Sequence, residues 1–312
     1  MNPTGDEMMI ILYILLGIFL LVCIVHLRTF YSPGFRQGNI FNIPGNAQYA
    51  PYKPIMEDLI RDLDARPYEE IWIRSHDGLR LFARYYHHAD GAPVDIAFHG
   101  YRGTAQRDMC GGFQISRMAG HNVLLVDQRA HGKSAGHCLT FGIKERFDCR
   151  TWIDYARKRF GEDVPILLYG VSMGAATVLM ASGLKLPGNV RGIVADCPYS
   201  SPKDIIRKVC RDMHLPWVLV YPLIAASAKI FGAFRLTEAS AAEAVQHSRI
   251  PTLIIHGEDD RFVPPEMSAC IASARPDIER ITFPDAGHGI SGIVHIESYN
   301  RAVLDFIQRS FR

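Results

Sequence analysis

Between Ile166 and Ala176 the chain reads ILLYGVSMGAA: a short apolar run, a serine set between two glycines, and the start of an alanine-rich stretch. A serine at the tip of a strand-to-helix turn needs that spacing, because only glycine leaves room on either side of so sharp a bend. Ser172 is therefore the candidate nucleophile, with Gly170 and Gly174 as its elbow. A hydroxyl alone is a weak nucleophile; it needs a base to take its proton, a carboxylate to orient that base, and N–H donors for the oxyanion that forms.

The rest of the chain offers all three. His288 lies in DAGHG, just past the apolar run at 281–283, and an imidazole with an ordinary pKa of about 6.5 can take and return a proton near neutrality. An orienting acid is expected after the preceding strand, where IIHGEDDRFVP carries Glu258, Asp259 and Asp260. Asp196, at the end of the run 190–195, is the rival, since an acid one strand earlier can reach the same histidine. For the oxyanion, the Met173 N–H stands at a helix N-terminus, where the dipole also favours negative charge. The second donor is expected from HGYRG at 99–103, as the Tyr101 N–H, with its ring left to packing or a substrate wall.

These residues need a frame. Residues 70–74 and 79–86 alternate polar and apolar around Asp77-Gly78, which predicts a hairpin. Short apolar runs at 94–98, 122–126, 166–169, 190–195, 252–255 and 280–283, separated mostly by helical stretches, predict a mainly parallel sheet with helices on both faces. More than fifty residues separate Ala195 from Pro251, including an apolar stretch at 215–228 broken by Pro216 and Pro222. The reading is a small helical cap at about 200–248 over Ser172, with Trp217, Leu219, Tyr221, Leu223 and Phe231 lining an acyl pocket or touching lipid.

Met8 to Val25 is an uncharged, mostly apolar run of 18 residues, long enough for most of a bilayer, and reads as a membrane anchor within residues 1–30. A cleaved signal peptide fits less well, because Asp6 and Glu7 precede the run where basic residues belong. Arg28 and Arg36 come after it, which puts the remainder on the cytoplasmic side. Residues 31–68 read as a Pro-, Gly- and Asn-rich linker with a lead-in helix at 54–63, ahead of a catalytic domain at 69–312.

Composition sets the outer bounds. With 312 residues, 48% hydrophobic and 21% charged, the chain can bury a large core. A net charge of +2 and no basic stripe interleaved with aromatics exclude nucleic acid as a partner. Seven scattered cysteines without a C-x-x-C pair read as reduced thiols, and neither metal nor cofactor is required by the chemistry.

The motifs HGYRG at 99–103, DQRAHGKS at 127–134, TFGIKERFD at 140–148, GVSMGA at 170–175, HGEDDRFVP at 256–264 and DAGHG at 285–289 together resemble the α/β-hydrolase superfamily. Within it the chain is similar to membrane-anchored esterase and lipase-like proteins of the serine aminopeptidase type. The resemblance implies an α/β-hydrolase fold and places the acid at the fifth position of H-G-x-x-D-x-x-V-P, which is Asp260. It also implies hydrolysis of a carboxylic ester of a small molecule or acyl lipid by Ser172, His288 and Asp260. A peptidase or amidase is the second expectation, with Glu258 and Asp259 to receive a free amino group, and a catalytically silent tethered binding protein the third. Ala130 stands where relatives carry glycine in R-G-H-G, a departure expected to affect only a turn.

Overall fold

Apolar residues alternate along the central strands, and the pleat sorts them onto two faces. The computed structural model describes residues 5–33, 39–45 and 47–312. In β3 (Val94–Phe98), Val94, Ile96 and Phe98 join one core and Ala97 the other. In β4 (Asn122–Asp127), Leu124 and Val126 go with the first core, Val123 and Leu125 with the second. β5 (Ile166–Val171) divides Ile166 and Leu168 from Leu167 and Tyr169 in the same way.

A sheet apolar on both faces must be covered on both. The first core is closed by Trp152 of α4 (Glu145–Phe160), Leu179 of α5 (Met173–Ser182) and Ile205 of α6 (Pro202–Asp212). The second is closed by Ile60 of α2 (Lys53–Asp64), Phe113 of α3 (Ala105–Met118) and Phe306 of the C-terminal helix α9 (Ile296–Ser310). Each large apolar side chain buried in this way contributes about 1.5–3 kcal/mol.

The remaining strands are β1 (Glu69–Arg74), β2 (Arg80–Tyr86), β6 (Val190–Asp196), β7 (Thr252–Gly257) and β8 (Glu279–Phe283). Their order is β1-β2-β4-β3-β5-β6-β7-β8. β2 runs antiparallel to β1 and β4, and every other pair is parallel. The expected hairpin is present, turning at Gly78 with φ 88°. Parallel order sends the C-terminal ends of β3, β5, β6 and β7 to one edge, which is where the candidate residues lie.

Two expectations change. The apolar run at the start is a helix, α1 (Gly5–Thr29), but the segment that joins it to the domain is no loose tether. Val22 is buried, and Phe30 is wholly buried between the rings of Phe141 at 5.8 Å and Phe234 at 5.4 Å. Tyr31 pairs with Cys138, and Ile43 and Tyr49 are buried against the domain. A run rich in Pro, Gly and Asn signals irregular backbone, and irregular backbone packs here because Phe30, Ile43 and Tyr49 have apolar surface to cover. Arg36, one of the two arginines that bear on orientation, lies outside the described residues.

The second change concerns the cap. The apolar stretch forms α7 (Trp217–Phe231), with Pro216 as its N-cap and Pro222 inside the helix, so neither proline breaks it. The hydrogen bond that Pro222 forgoes would reach the carbonyl of Val218, on the exposed face. α7 packs against α1, with the Phe231 ring 4.8 Å from His26 and 6.3 Å from Phe19. A short helix, α8 (Ala241–Ala244), returns the chain to β7.

Candidate active site

At the end of β5 the chain turns into α5 through Ser172, which sits at φ 55° and ψ −114°, a backbone that costs on the order of 1–3 kcal/mol for a non-glycine residue. The neighbours make room for it. A Cβ on Gly170 would stand 2.4 Å from Gly174, and one on Gly174 would stand 2.0 Å from the Phe98 carbonyl oxygen. The Ser172 N–H donates to the Asp196 carbonyl at 2.8 Å, which ties the turn to the end of β6.

The Ser172 hydroxyl lies 2.9 Å from His288 Nε2, and His288 Nδ1 lies 2.7 Å from Asp260 Oδ2. Asp260 is fixed from behind: its Oδ1 accepts from the N–H groups of Phe262 at 2.9 Å and Val263 at 2.8 Å. His256, the first residue of the H-G-x-x-D segment, places Nε2 3.2 Å from Asp260 Oδ2 and 2.9 Å from the Val263 carbonyl. Burial pushes the Asp260 carboxyl up, but His288 and His256 outweigh it and hold the group below the ordinary carboxylate range. For His288, burial favours the neutral ring, yet the Asp260 carboxylate prevails and raises its pKa above 6.5.

Asp196, the rival acid, meets a different partner. Its Oδ2 accepts from Tyr299 Oη at 2.8 Å, and Tyr299 in turn lies 2.7 Å from Tyr169 Oη. Burial raises its pKa to about 6, with the Tyr299 bond opposing. The geometry brings Asp260, not Asp196, to the imidazole.

The two expected oxyanion donors, the N–H groups of Tyr101 and Met173, meet no protein acceptor among the described residues. Their loop is held by residues the motifs contained without explaining. Gly100 N–H donates to Asp108 Oδ2 at 2.8 Å, and Arg102 N–H to His131 Nε2 at 3.0 Å. Gln128 Nε2 donates to the His99 carbonyl at 2.6 Å. Ala130 adopts φ 62°, so the departure from glycine does fall in a turn, one that an alanine enters with strain.

A cavity of about 360 Å³ opens beside Ser172 and His288. Its apolar walls include Met56, Ile115, Val171, Phe262 and Ile293. Trp217, Leu219, Tyr221, Leu223 and Phe231, expected to line a pocket from the cap, do not line this one, because α7 is occupied with α1. The segment before α2 supplies a wall in their place: Pro44, Gln48 and Tyr49 line the cavity. Gln48 Nε2 donates to the Asp259 carbonyl at 2.7 Å and Tyr49 Oη to the His288 carbonyl at 2.6 Å. No local signal marks these two, since their partners lie more than two hundred residues away in sequence.

Among the described residues two groups of side chains have the spacing of metal ligands, Cys197 with Asp260 and His288, and His76 with Asp77 and Asp148. In the first, Asp260 is already shared between two histidines, and burial pushes the Cys197 thiol well up, away from the thiolate a metal needs. In the second, the Arg129 guanidinium pairs with Asp77 at 2.9 Å and with Asp148 at 2.6 Å.

Residues 96–306 match the sequence model of the alpha/beta hydrolase family, and the chain belongs to that family. Among its relatives is YqkD of Bacillus subtilis, an uncharacterized protein, 25% identical over 190 residues that make up 60% of this chain and 62% of that one. The alpha/beta hydrolase domain-containing protein WAV2 of Arabidopsis thaliana is 25% identical over 276 residues, 86% of this chain and 85% of its own. Among solved structures, the Pyrococcus furiosus esterase Pf2001 superposes with a TM-score of 0.65 at 23% identity, over 86% of this chain and 98% of that one. That likeness is one of fold.

Proposed function

We propose that the protein is a serine hydrolase that cleaves carboxylic esters through an acyl-enzyme. The observation that carries the reading is the unbroken line from Ser172 Oγ to His288 Nε2 at 2.9 Å and from His288 Nδ1 to Asp260 at 2.7 Å. Ser172 attacks the carbonyl carbon while His288 takes its proton. The oxyanion is received by the N–H groups of Tyr101 and Met173. His288 returns the proton to the leaving alcohol, and water then releases the acid by the same steps in reverse. The strained backbone at Ser172 and the acceptor-free N–H pair support this, as does a cavity whose apolar walls suit an acyl chain.

The peptidase reading loses its support at the carboxylates meant to receive an amino terminus. Glu258 Oε1 accepts from Thr282 Oγ1 at 2.6 Å, and neither Glu258 nor Asp259 lines the cavity. The binding-only reading has to account for a nucleophile and base kept in hydrogen-bond contact. In our reading α1, long and apolar enough to cross a bilayer, anchors the chain in a membrane, and substrates are acyl esters or thioesters drawn from lipid. Arg28 after the span and seven free cysteines support a cytoplasmic domain.

The test is fluorophosphonate labelling together with turnover of p-nitrophenyl esters from acetate to palmitate. Wild type should label and hydrolyse, while Ser172→Ala, with an unchanged melting temperature, should do neither. Folded wild-type protein that does not label would end the hydrolase reading, and equal rates on acetate and long chains would end the lipid part.

A further inference from the structure

α7 is the most exposed apolar helix of the folded domain. Val218 is 79% exposed, Leu219 69% and Ile230 59%, and the approach to the helix adds Met213 at 62% with Leu215 also exposed. At 3.6 residues per turn Val218, Leu219, Pro222, Ala226 and Ile230 fall within an arc of about 120°, so they form one face with Lys229 as its single charge. Apolar stripes of this kind on a soluble surface mark an interaction site.

Its position says what covers it. The Phe231 ring touches α1 at Phe19 and His26. The uncharged run of α1 ends at Val25, so Phe19 lies about 9 Å further along the axis toward the apolar middle. α1 is not free to swing away, because Phe30 at its end is locked into the domain core. A bilayer that receives α1 must therefore also meet the C-terminal half of α7. Basic groups stand beside and on the stripe: Arg207 and Arg211 are exposed on the neighbouring α6, and Lys229 lies on the face itself, with a long stem that lets its ammonium reach the headgroups. Trp217, half-buried under the Arg207 guanidinium at 5.8 Å, has the amphipathic form that settles at headgroup level.

We infer that α7 is a second membrane element, lying in the interface of an anionic bilayer with Val218, Leu219, Ile230 and Phe231 in the acyl region and Arg207, Arg211 and Lys229 at the headgroups. The inference rests on α1 being embedded in the same membrane. α7 docks the domain against the lipid as an interfacial amphipathic helix does, and α1 fixes where.

The experiment uses the full chain in vesicles of phosphatidylcholine and phosphatidylglycerol, with and without brominated acyl chains. Val218→Trp adds a reporter to the stripe, and Asp90→Trp adds one to a loop that is fully exposed. Each is read as the difference from wild type, which already contains Trp72, Trp152 and Trp217. The added emission at 218 should be blue-shifted, lose most of its intensity to brominated lipid and resist aqueous iodide, while that at 90 should do the reverse. Iodide quenching at 218 equal to that at 90, in protein that floats with the vesicles, overturns the inference and leaves the anchor standing. Protein that does not float overturns both. Blue-shifted emission at 218 that brominated lipid leaves untouched means a second protein surface covers the stripe, and also overturns it. None of these readouts depends on ester turnover, so the catalytic reading stands or falls separately.

Discussion

Two buried carboxylates stand near Ser172, and their surroundings push them in opposite directions. Asp260 accepts three hydrogen bonds, lies 3.2 Å from His256 Nε2 and is held ionised, whereas Asp196 has one tyrosine donor and is raised to about 6 by burial. Asp260→Asn should lower kcat by about 10⁴-fold, the cost of losing the correct imidazole tautomer. Because that carboxylate is what raises the His288 pKa, the acid limb of the kcat/KM profile should move to lower pH in the variant. Asp196→Asn should leave turnover near wild type, and a collapse there equal to that of Asp260→Asn would make Asp196 the acid. Its effect belongs to stability. A carboxyl raised in the fold contributes stability that is full below its ordinary value of 3.8 and lost as pH rises through about 6. Asparagine keeps an acceptor for Tyr299 without ionising, so thermal melts should show the variant gaining on the order of 1–3 kcal/mol above pH of about 6 and nothing in strong acid.

Among the elements, α3 shapes the cavity. Gly111 and Ile115 face it from that helix, and a Cβ on Gly111 would meet only Ile293 Cδ1, at 4.0 Å. Gly111→Leu should fill cavity space without a backbone clash, moving the ester preference toward shorter chains. It should also stabilise α3 by about 1 kcal/mol, since glycine is the weaker helix former. An unchanged chain-length profile would place the acyl group elsewhere. The strands and the Ser172 turn were legible in the sequence because alternation and glycine punctuation are local signals. So was His288, just past an apolar run, whereas among Glu258, Asp259 and Asp260 the local pattern did not choose, and only the resemblance of HGEDDRFVP to a family motif pointed to Asp260. α7 was not, because a run such as Val218, Leu219 and Leu223 satisfies a cavity wall, a helix partner or a lipid face equally well. Tyr49 was not either: its hydrogen bond to the His288 carbonyl spans 239 residues and carries no motif.

At the scale of the whole molecule, the N-terminal helix and the loop at 99–103 form one structure. The last carbonyls of α1 lack partners within the helix, as every helix end does. Here the loop supplies donors: Tyr101 Oη donates to the Thr29 carbonyl at 2.8 Å, and Arg102 Nη2 to those of Arg28 at 3.1 Å and Tyr31 at 3.0 Å. A guanidinium at a helix C-terminus is also favoured by the dipole. Arg102 Nε donates to Tyr101 Oη at 2.9 Å, so the two side chains act as a single staple. The Tyr101 N–H proposed to receive the oxyanion thus belongs to a residue whose hydroxyl grips the end of α1. Loss of a well-placed oxyanion donor costs about 10²–10³-fold, so a donor left in place but loosened should cost less. The double variant Tyr101→Phe with Arg102→Gln, in the full chain, keeps both backbone donors and removes the staple. Its kcat on a water-soluble ester should fall by about tenfold to a hundredfold with KM little changed, while fluorophosphonate labelling of Ser172 goes to completion more slowly. Cutting the chain before Tyr31 should give at least the same loss, because it removes the carbonyls of Arg28 and Thr29 along with the Phe30 ring. Full activity in both proteins would mean that His131 and Asp108 hold the loop by themselves and that the helix only tethers.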